Sequence, residues 1–316
     1  MIQSPLNYTG GKFRLLPQIL PYFPKHINTF VDLFCGGCNV GINVTANRYI
    51  YNDICEPLIK LYSVMNRKPT DIFIEEINKI IDKYHLSDIK TYGYDFYGCN
   101  SSRGLSDFNR DKFLNLRRDF NTQMLHNDEY YIKLYVLIVY AFNNQIRFNS
   151  KGDFNLPPGK RDFNKKMHDK LIEFMTKLHE QQNLFMHNEF TDIDLSNLDI
   201  SDFVYADPPY LIMCASYNEQ GGWCEKDEWN LLKLLDSLNE RNIRFALSNV
   251  LESKGRTNQI LLDWIVSRPY YRMIELDYSY NNANYQRKNS NDKTKEILII
   301  NYKEGIANED KRRSDF

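Results

Sequence analysis

Along the chain, short runs that are apolar throughout alternate with longer stretches in which apolar residues recur every three or four positions. The first pattern predicts strands buried on both faces, the second amphipathic helices. Strands are expected over residues 29–32, 49–54, 184–187, 203–206 and 244–249, with closing strands over 271–276 and 296–302. Helices are expected over 13–20, where Pro21 and Pro24 end the pattern, and over 72–84, 110–120, 130–142, 165–181 and 225–240. The strand-and-helix rhythm is interrupted between residues 57 and 165, which read as an inserted, largely helical module with a Gly-, Ser-, Tyr- and Asp-rich loop over 85–109. The fold class is therefore α/β. Residues 1–56 and 166–302 form the main domain, 57–165 the insert and 303–316 a charge-mixed, frayed tail.

The chemistry gathers where predicted strands stop. Residues 203–210 read Phe-Val-Tyr-Ala-Asp207-Pro208-Pro209-Tyr210, a buried strand that runs into an acid, two prolines and an aromatic ring. The prolines stiffen the loop and lack N–H groups, which leaves carbonyls open as acceptors. A carboxylate, a prolyl carbonyl and an aromatic face held together suit the amino group of a nucleobase. An isolated Asp-Pro-Pro-Tyr is equally an ordinary strand-ending turn. Upstream, the strand at Thr29 delivers Asp32 and Phe34 into a glycine turn at Gly36, Gly37 and Gly41. The next predicted strand delivers Asp53 and Ile54, and Asp53 lies 16 residues beyond Gly37, well placed to accept the ribose hydroxyls of an adenosine-containing cofactor. Gly36-Gly37-Cys-Asn-Val-Gly41 is not the G-x-G-x-x-G phosphate fingerprint, and no Walker lysine follows it. With acids at Asp32 and Asp53, a cationic, phosphate-free adenosine ligand fits better than a dinucleotide, and S-adenosylmethionine is such a molecule.

A net charge of −1 over 316 residues supplies no global basic field, so nucleic-acid binding has to come from local patches. Two stretches qualify. Between Tyr140 and Leu171 there are seven Lys and Arg against three Asp, on a segment that carries Asn144, Arg147, Asn149 and Lys160 around a glycine turn. It reads as a β-hairpin whose Arg suits guanine and whose amides suit adenine, or as a solvated surface hairpin. The second is the polar loop over 278–295 with Tyr285, Arg287 and Lys288, which can clasp a phosphate backbone or be a solvated turn. The six cysteines are scattered, and Cys35-Gly-Gly-Cys38 has no second pair or His cluster to complete a metal site, so no metal is expected. No leader pattern and no apolar run of ~18 residues is seen, so a cytoplasmic protein without a membrane span is expected.

The ordered set Tyr8-Thr-Gly-Gly-Lys12, Phe34-Cys-Gly36, Asn52-Asp53, Asn143-Asn-Gln-Ile-Arg147-Phe-Asn149, Gly152-Asp-Phe-Asn155-Leu-Pro and Asp207-Pro-Pro-Tyr210 resembles the Dam-type (D12 class) DNA adenine-N6 methyltransferases over residues 4–302. The resemblance implies a Rossmann-like, S-adenosylmethionine-dependent methyltransferase sheet, with the insert as a target-recognition domain. It implies cofactor roles for Tyr8, Lys12, Asp32, Phe34, Gly36, Asp53 and Ile54, catalysis by Asp207, Pro208 and Tyr210, and a second role for Asp207 at the cofactor. The substrate implied is double-stranded DNA, acted on beside the nucleoid, and a cognate restriction endonuclease is a natural neighbour, although no residue of the chain points to one. Members that methylate GATC commonly carry Lys-Trp where this chain has Asn7-Tyr8, so Asn7 stands in the place of a site-reading lysine. Two other readings use the same motifs: methylation of an RNA adenine or a protein glutamine, and a non-catalytic DNA-binding protein on a methyltransferase scaffold.

Overall fold

Strands that are apolar throughout can be satisfied only in the middle of a covered sheet, and this chain places them there. The computed structural model describes residues 1–102, 104–214, 222–277 and 294–303. Among them are β1 (Thr29–Asp32), β2 (Arg48–Asn52), β3 (Asn183–Met186), β4 (Phe203–Ala206), β5 (Arg244–Ser253), β6 (Arg256–Thr257), β7 (Arg272–Leu276) and β8 (Lys295–Ile300). They form one sheet in the order β3-β2-β1-β4-β5-β8-β7, with β6 added to β5. β2, β1, β4 and β5 run parallel, and β8 runs antiparallel to both of its neighbours. β1 and β4 are buried at every position.

Contacts divide the chain into two units, one of residues 12–35, 44–54 and 186 onward, the other of residues 1–11, 36–43 and 55–185. In the first, one face of the sheet is covered by the helices Glu225–Glu240 and Gln259–Val266, whose Leu231, Leu235, Leu238, Leu261 and Trp264 share a core with Val31, Val204, Phe245 and Ile297. Phe23 packs on Phe203 and Tyr205, with ring centroids 4.7 and 5.4 Å away. The strands fall close to the expected runs. β5 continues four residues further than expected because Val250 and Leu251 are still buried and β6 pairs back on Glu252 and Ser253. The helix Gln259–Val266 was not expected; a short apolar run of that length reads as strand or helix alike.

The second unit is built around the helix Asp128–Tyr140, which is buried from Ile132 to Tyr140 on all sides. A helix apolar all round belongs at the centre of a bundle, and Glu56–Arg67, Thr70–Lys83 and Ser106–Thr122 pack against it. Thr70–Lys83 turns Phe73, Ile77, Ile80 and Ile81 inward, one face at helical spacing. Asn127 accepts from the Tyr130 N–H at 3.1 Å and Asn164 from the Met167 N–H at 3.1 Å, capping Asp128–Tyr140 and Lys165–Glu180. The β-hairpin expected over 141–161 is not confirmed. Ala141 opposes Pro158 and Phe148 opposes Phe154 as isolated bridges only. Asn143 and Asn144 take positive φ, and Pro157 and Pro158 have no N–H for a ladder.

The segment over 85–109 is polar in composition but pinned by buried hydrogen bonds. Asn109 accepts from the Ser87 N–H at 2.9 Å, the Ser87 hydroxyl donates to Asp162 Oδ2 at 3.2 Å, the Ile89 N–H donates to the same oxygen at 2.8 Å, and the Tyr140 hydroxyl donates to the Ser87 carbonyl at 2.6 Å. Asp162 is fully buried, and among the described residues its other oxygen, Oδ1, has no hydrogen-bond partner. Burial pushes its carboxyl up to about 6, against the hydrogen bonds from Ile89 and Ser87. A carboxyl raised in the fold holds its proton more tightly than in the unfolded chain, so its contribution to stability is present below ~4 and is lost as pH rises through about 6. Asp162→Asn should therefore gain stability relative to the wild type as pH rises from 4 to 7. Urea midpoints at both pH values check this, and an unchanged difference between the two proteins would refute it.

Candidate active site

Three carboxylates stand at the carboxyl ends of three adjacent parallel strands. Asp32 closes β1 in register with Tyr51 of β2 and Tyr205 of β4. Asp53 and Asp207 follow those strands two residues beyond that level, which puts all three acids on one edge of the sheet. The edge includes the gap between β1 and β4, where the strand order reverses, the position at which doubly wound sheets bind ligands. Asp32 and Asp53 are 2 % and 7 % exposed. Asn52 holds the loops around them: its Nδ2 donates to the carbonyls of Leu33 and Asn188, its Oδ1 accepts from the Asn188 N–H, each at 3.1 Å, and its backbone carbonyl accepts from the Cys35 N–H at 2.8 Å. Ile54 is exposed, and its carbonyl meets His187 Nε2 at 2.9 Å.

Phe34 follows β1 into an aromatic wall, edge-on to Trp223 at 5.6 Å and tilted on Phe190 at 5.4 Å. Trp223 is fixed from behind: its indole N–H donates to Glu228 Oε2 at 2.6 Å, while Asn249 and Asn258 donate to Oε1 at 3.1 and 2.8 Å. Glu228 is fully buried, and that burial raises its carboxyl despite the three neutral donors.

The Asp-Pro-Pro-Tyr loop is the centre of the arrangement. Lys12 Nζ lies 2.8 Å from Asp207 Oδ1 and 3.6 Å from Glu296 Oε1 of β8. The Tyr210 hydroxyl lies between the same two carboxylates, 3.0 Å from Asp207 Oδ1 and 3.1 Å from Glu296 Oε1, and the Lys12 ammonium sits 4.9 Å from the Tyr210 ring centroid. Lys12, Glu296 and Tyr210 are 4 %, 1 % and 9 % exposed. Both interactions of Asp207 are on Oδ1, and among the described residues Oδ2 carries no hydrogen bond. Burial raises the Asp207 carboxyl, and Lys12, then Tyr210, pull it back down. Beneath the loop the Tyr205 hydroxyl meets Ser248 Oγ at 2.7 Å; burial, then Asp207, Asp32 and Glu296, push its phenol well up. Pro208 is buried beside Asp207.

In the helical unit, Tyr8 covers the glycine turn. Gly36 has φ +44°, and a Cβ on it would stand 2.9 Å from Tyr8 Cδ1, so only glycine fits under the ring. The Gly36 carbonyl accepts from the Tyr62 hydroxyl at 2.8 Å, and the Ser4 N–H donates to Asn39 Oδ1 at 3.0 Å.

The residues expected to read DNA are placed in three ways. Asn7 donates to the Asn143 carbonyl at 2.7 Å, which ties it to the start of the segment that carries Arg147. The side-chain amide of Asn144 donates to the Val139 carbonyl, and Asn149 Oδ1 accepts from the N–H groups of Lys151 and Asp153 at 2.9 Å, so both shape the segment itself. Arg147 is exposed, with Nε donating to Asn155 Oδ1 at 2.7 Å, and Lys160 is exposed beside Gly104. Tyr285, Arg287 and Lys288 lie outside the described residues. Glu296, Glu228 and Asn249 were missed from the sequence. For Glu296 a signal existed: one acid inside the apolar run Ile297 to Ile300 and its strand.

The sheet order defines an α/β protein with a central, mostly parallel sheet, and the acid-bearing strand ends lie at its switch point. The chain belongs to the D12 class N6 adenine-specific DNA methyltransferase family, whose model matches residues 8–282. It is 42 % identical over 307 residues to modification methylase StsI of Streptococcus sanguinis and 39 % identical over 307 residues to type II methyltransferase M.FokI of Planomicrobium okeanokoites, covering 95 % of this chain and 43 % of either relative. The chain thus spans less than half the length of these two relatives. With the DNA adenine methylase of Escherichia coli K12 it shares 24 % identity over 312 residues, 97 % of this chain and 98 % of that protein. The family implies S-adenosylmethionine, and the residues present fit it: carboxylates suited to a diol and a cation, an aromatic wall at Phe34, and no phosphate cradle.

The glycine turn gives a direct test. Gly36→Ala should cost about 1–2 kcal/mol for the left-handed backbone alone, and more from the clash with Tyr8. Adding Tyr8→Ala should recover the steric part only. Urea unfolding of both variants measures the two parts, and a Gly36→Ala protein as stable as the wild type would refute the geometry.

Proposed function

We propose that this protein is a site-specific DNA methyltransferase that moves the methyl group of S-adenosylmethionine to N6 of an adenine flipped out of duplex DNA. The observation that carries the reading is the half-occupied carboxylate of Asp207, anchored through Oδ1 and open at Oδ2, at the strand end where the family carries its Asp-Pro-Pro-Tyr motif. In this reading Asp53 holds the ribose hydroxyls, with Ile54, Phe34, Asp32, Tyr8, Gly36 and Lys12 completing the cofactor site. When bound, S-adenosylmethionine supplies a methyl carbon made electrophilic by its positively charged sulfur.

Adenine N6 is a poor nucleophile because its lone pair is delocalised into the ring. Asp207 Oδ2 accepts one N6–H and the Pro208 carbonyl the other, which draws the amine toward tetrahedral geometry and stabilises the positive charge that grows on it. Lys12 and Tyr210 keep the carboxylate in one rotamer, so the acceptor is already aimed when the base arrives. Tyr210 presents its ring to the extruded base; stacking worth ~1–3 kcal/mol offsets part of the few kcal/mol of unstacking. Residues 1–56 and 166–302 then form the catalytic domain and 57–165 the target-recognition domain. Asn7, Asn144, Arg147 and Asn149 stand on or beside the reading segment, Lys160 contacts phosphates, and Tyr285, Arg287 and Lys288 clasp the backbone. The relatives named as modification methylases favour a restriction-modification role with a cognate endonuclease, in the cytoplasm. Among the described residues no helix is long and apolar enough to cross a membrane.

The reading is tested by sequencing DNA from a methylation-free host that expresses this chain, with N6-methyladenine expected in one sequence context. Unmodified DNA in the presence of folded protein would overturn it. Asp207→Asn should lower single-turnover transfer at least ~10²-fold while leaving the fold intact. Arg147→Ala should cost ~1–3 kcal/mol of binding at one guanine position, read from a panel of single-substitution duplexes. Equal weakening on every duplex would remove its base-reading role.

A further inference from the structure

β5 does not stop at the edge of the sheet where the acids stand. Ala206 of β4 pairs with Leu247, so Asp207 follows at the level of Ser248, and β5 runs on to Ser253 before β6 returns. At about 3.3 Å per residue, the hairpin projects about 15 Å past Asp207 on the same edge. Its two-residue turn is Lys254-Gly255, with φ +50° and +73°. Such turns favour asparagine followed by glycine, because both central residues are left-handed. A lysine at the first position is the strained choice, and strain kept at a surface turn points to a use for the side chain. Lys254 and Arg256 are exposed, and among the described residues neither has an ion-pair partner. The other charges of this corner face one another: Glu252 opposes Lys295 of β8 in register, and Lys295 Nζ lies 3.4 Å from Glu275 Oε2. The hairpin is anchored at its base, where the Asn258 N–H donates to the Leu251 carbonyl at 2.9 Å and Asn258 Nδ2 to Glu228 Oε1 at 2.8 Å. Beside its tip lies a cavity of about 300 Å³ lined by Ile212, Met213, Ser253, Lys254 and Arg256. Ile212 and Met213 belong to the turn of helix directly after Tyr210.

We propose that this hairpin is a phosphate clamp: Lys254 and Arg256 hold the DNA backbone flanking the adenine that enters at Asp207, with a phosphate over the cavity and its sugar against Ile212 and Met213. The inference rests on the proposed methyltransferase reading. An adenine that reaches Asp207 brings its backbone to this edge of the sheet, and the hairpin stands beyond that edge with two cations at its tip. Phosphate contacts position a duplex without reading its sequence. Two exposed cations on a short, anchored turn suit that task, because they replace condensed counterions at a phosphate without having to order a loop first. The clamp belongs to the unit that holds the sheet, not to the segment that carries Arg147.

The test is fluorescence-anisotropy binding of the full chain to short, labelled, mixed-sequence DNA duplexes over a salt series. Lys254→Gln combined with Arg256→Gln should weaken every duplex alike, about tenfold, and reduce the steepness of log affinity against log salt by ~1–2. Lys25→Gln removes the same charge from an exposed position just before β1, at the opposite edge of the sheet, and should leave that steepness unchanged. Lys254→Asn places the residue that the left-handed turn favours; it should raise the urea midpoint while still weakening DNA several-fold, a combination that a merely structural lysine would not give. A double variant with the wild-type salt dependence, or a Lys254→Asn protein that binds DNA as tightly as the wild type, would overturn the clamp and leave the methyltransferase reading standing. A wild-type chain that binds no duplex would overturn the methyltransferase reading itself, and the clamp with it.

Discussion

Everything at the site depends on the ammonium of Lys12 being held between two buried carboxylates. Isolated, any one of the three charges would be too costly to keep from water. Together, with the Tyr210 hydroxyl between the two acids, they fix the Asp207 carboxylate in a single orientation. The three come from far apart in the chain, one from the first helical turn, one from the end of β4 and one from β8. Their meeting requires the sheet order to be correct, so the cluster reports on the topology as much as it serves chemistry.

Much of this was legible in the sequence. The runs at Thr29–Asp32 and Phe203–Ala206 have no polar alternation because both faces are covered, and that alone predicts central parallel strands. Asp53 and Asp207 could be read because each ends such a run. Glu296 could not be assigned a partner, since strand patterning says which face a residue takes but not which distant loop it meets. The segment around Arg147 shows a different limit. Asn149 is a residue type equally suited to an adenine edge and to its own turn, and in the fold its side chain closes the turn. The expected ladder is not confirmed for a related reason: composition marked a Gly-turned excursion, but it does not show that the prolines lack ladder donors and that two asparagines turn left-handed, with only isolated bridges between them.

The helical unit carries the same lesson in a buried setting. Residues 85–109 look like solvated loop by composition, yet Ser87 and Asn109 are completely buried and bonded to each other, and Ser87 is bonded to Asp162. Polar residues there serve as internal staples, although among the described residues one oxygen of Asp162 is left without a hydrogen-bond partner. In the unit that holds the sheet, Glu228 does the equivalent work for Trp223 with neutral donors only.

The place of β8 has a consequence in time. It is the last of the sheet's strands along the chain, but it is inserted between β5 and β7. During synthesis β5 and β7 emerge first, and neither gains its sheet neighbour on that side until β8 arrives to lie between them. The same strand brings Glu296. A nascent chain therefore holds Lys12 and Asp207 long before the group that completes their cluster, and closure of the sheet and completion of the site are one event.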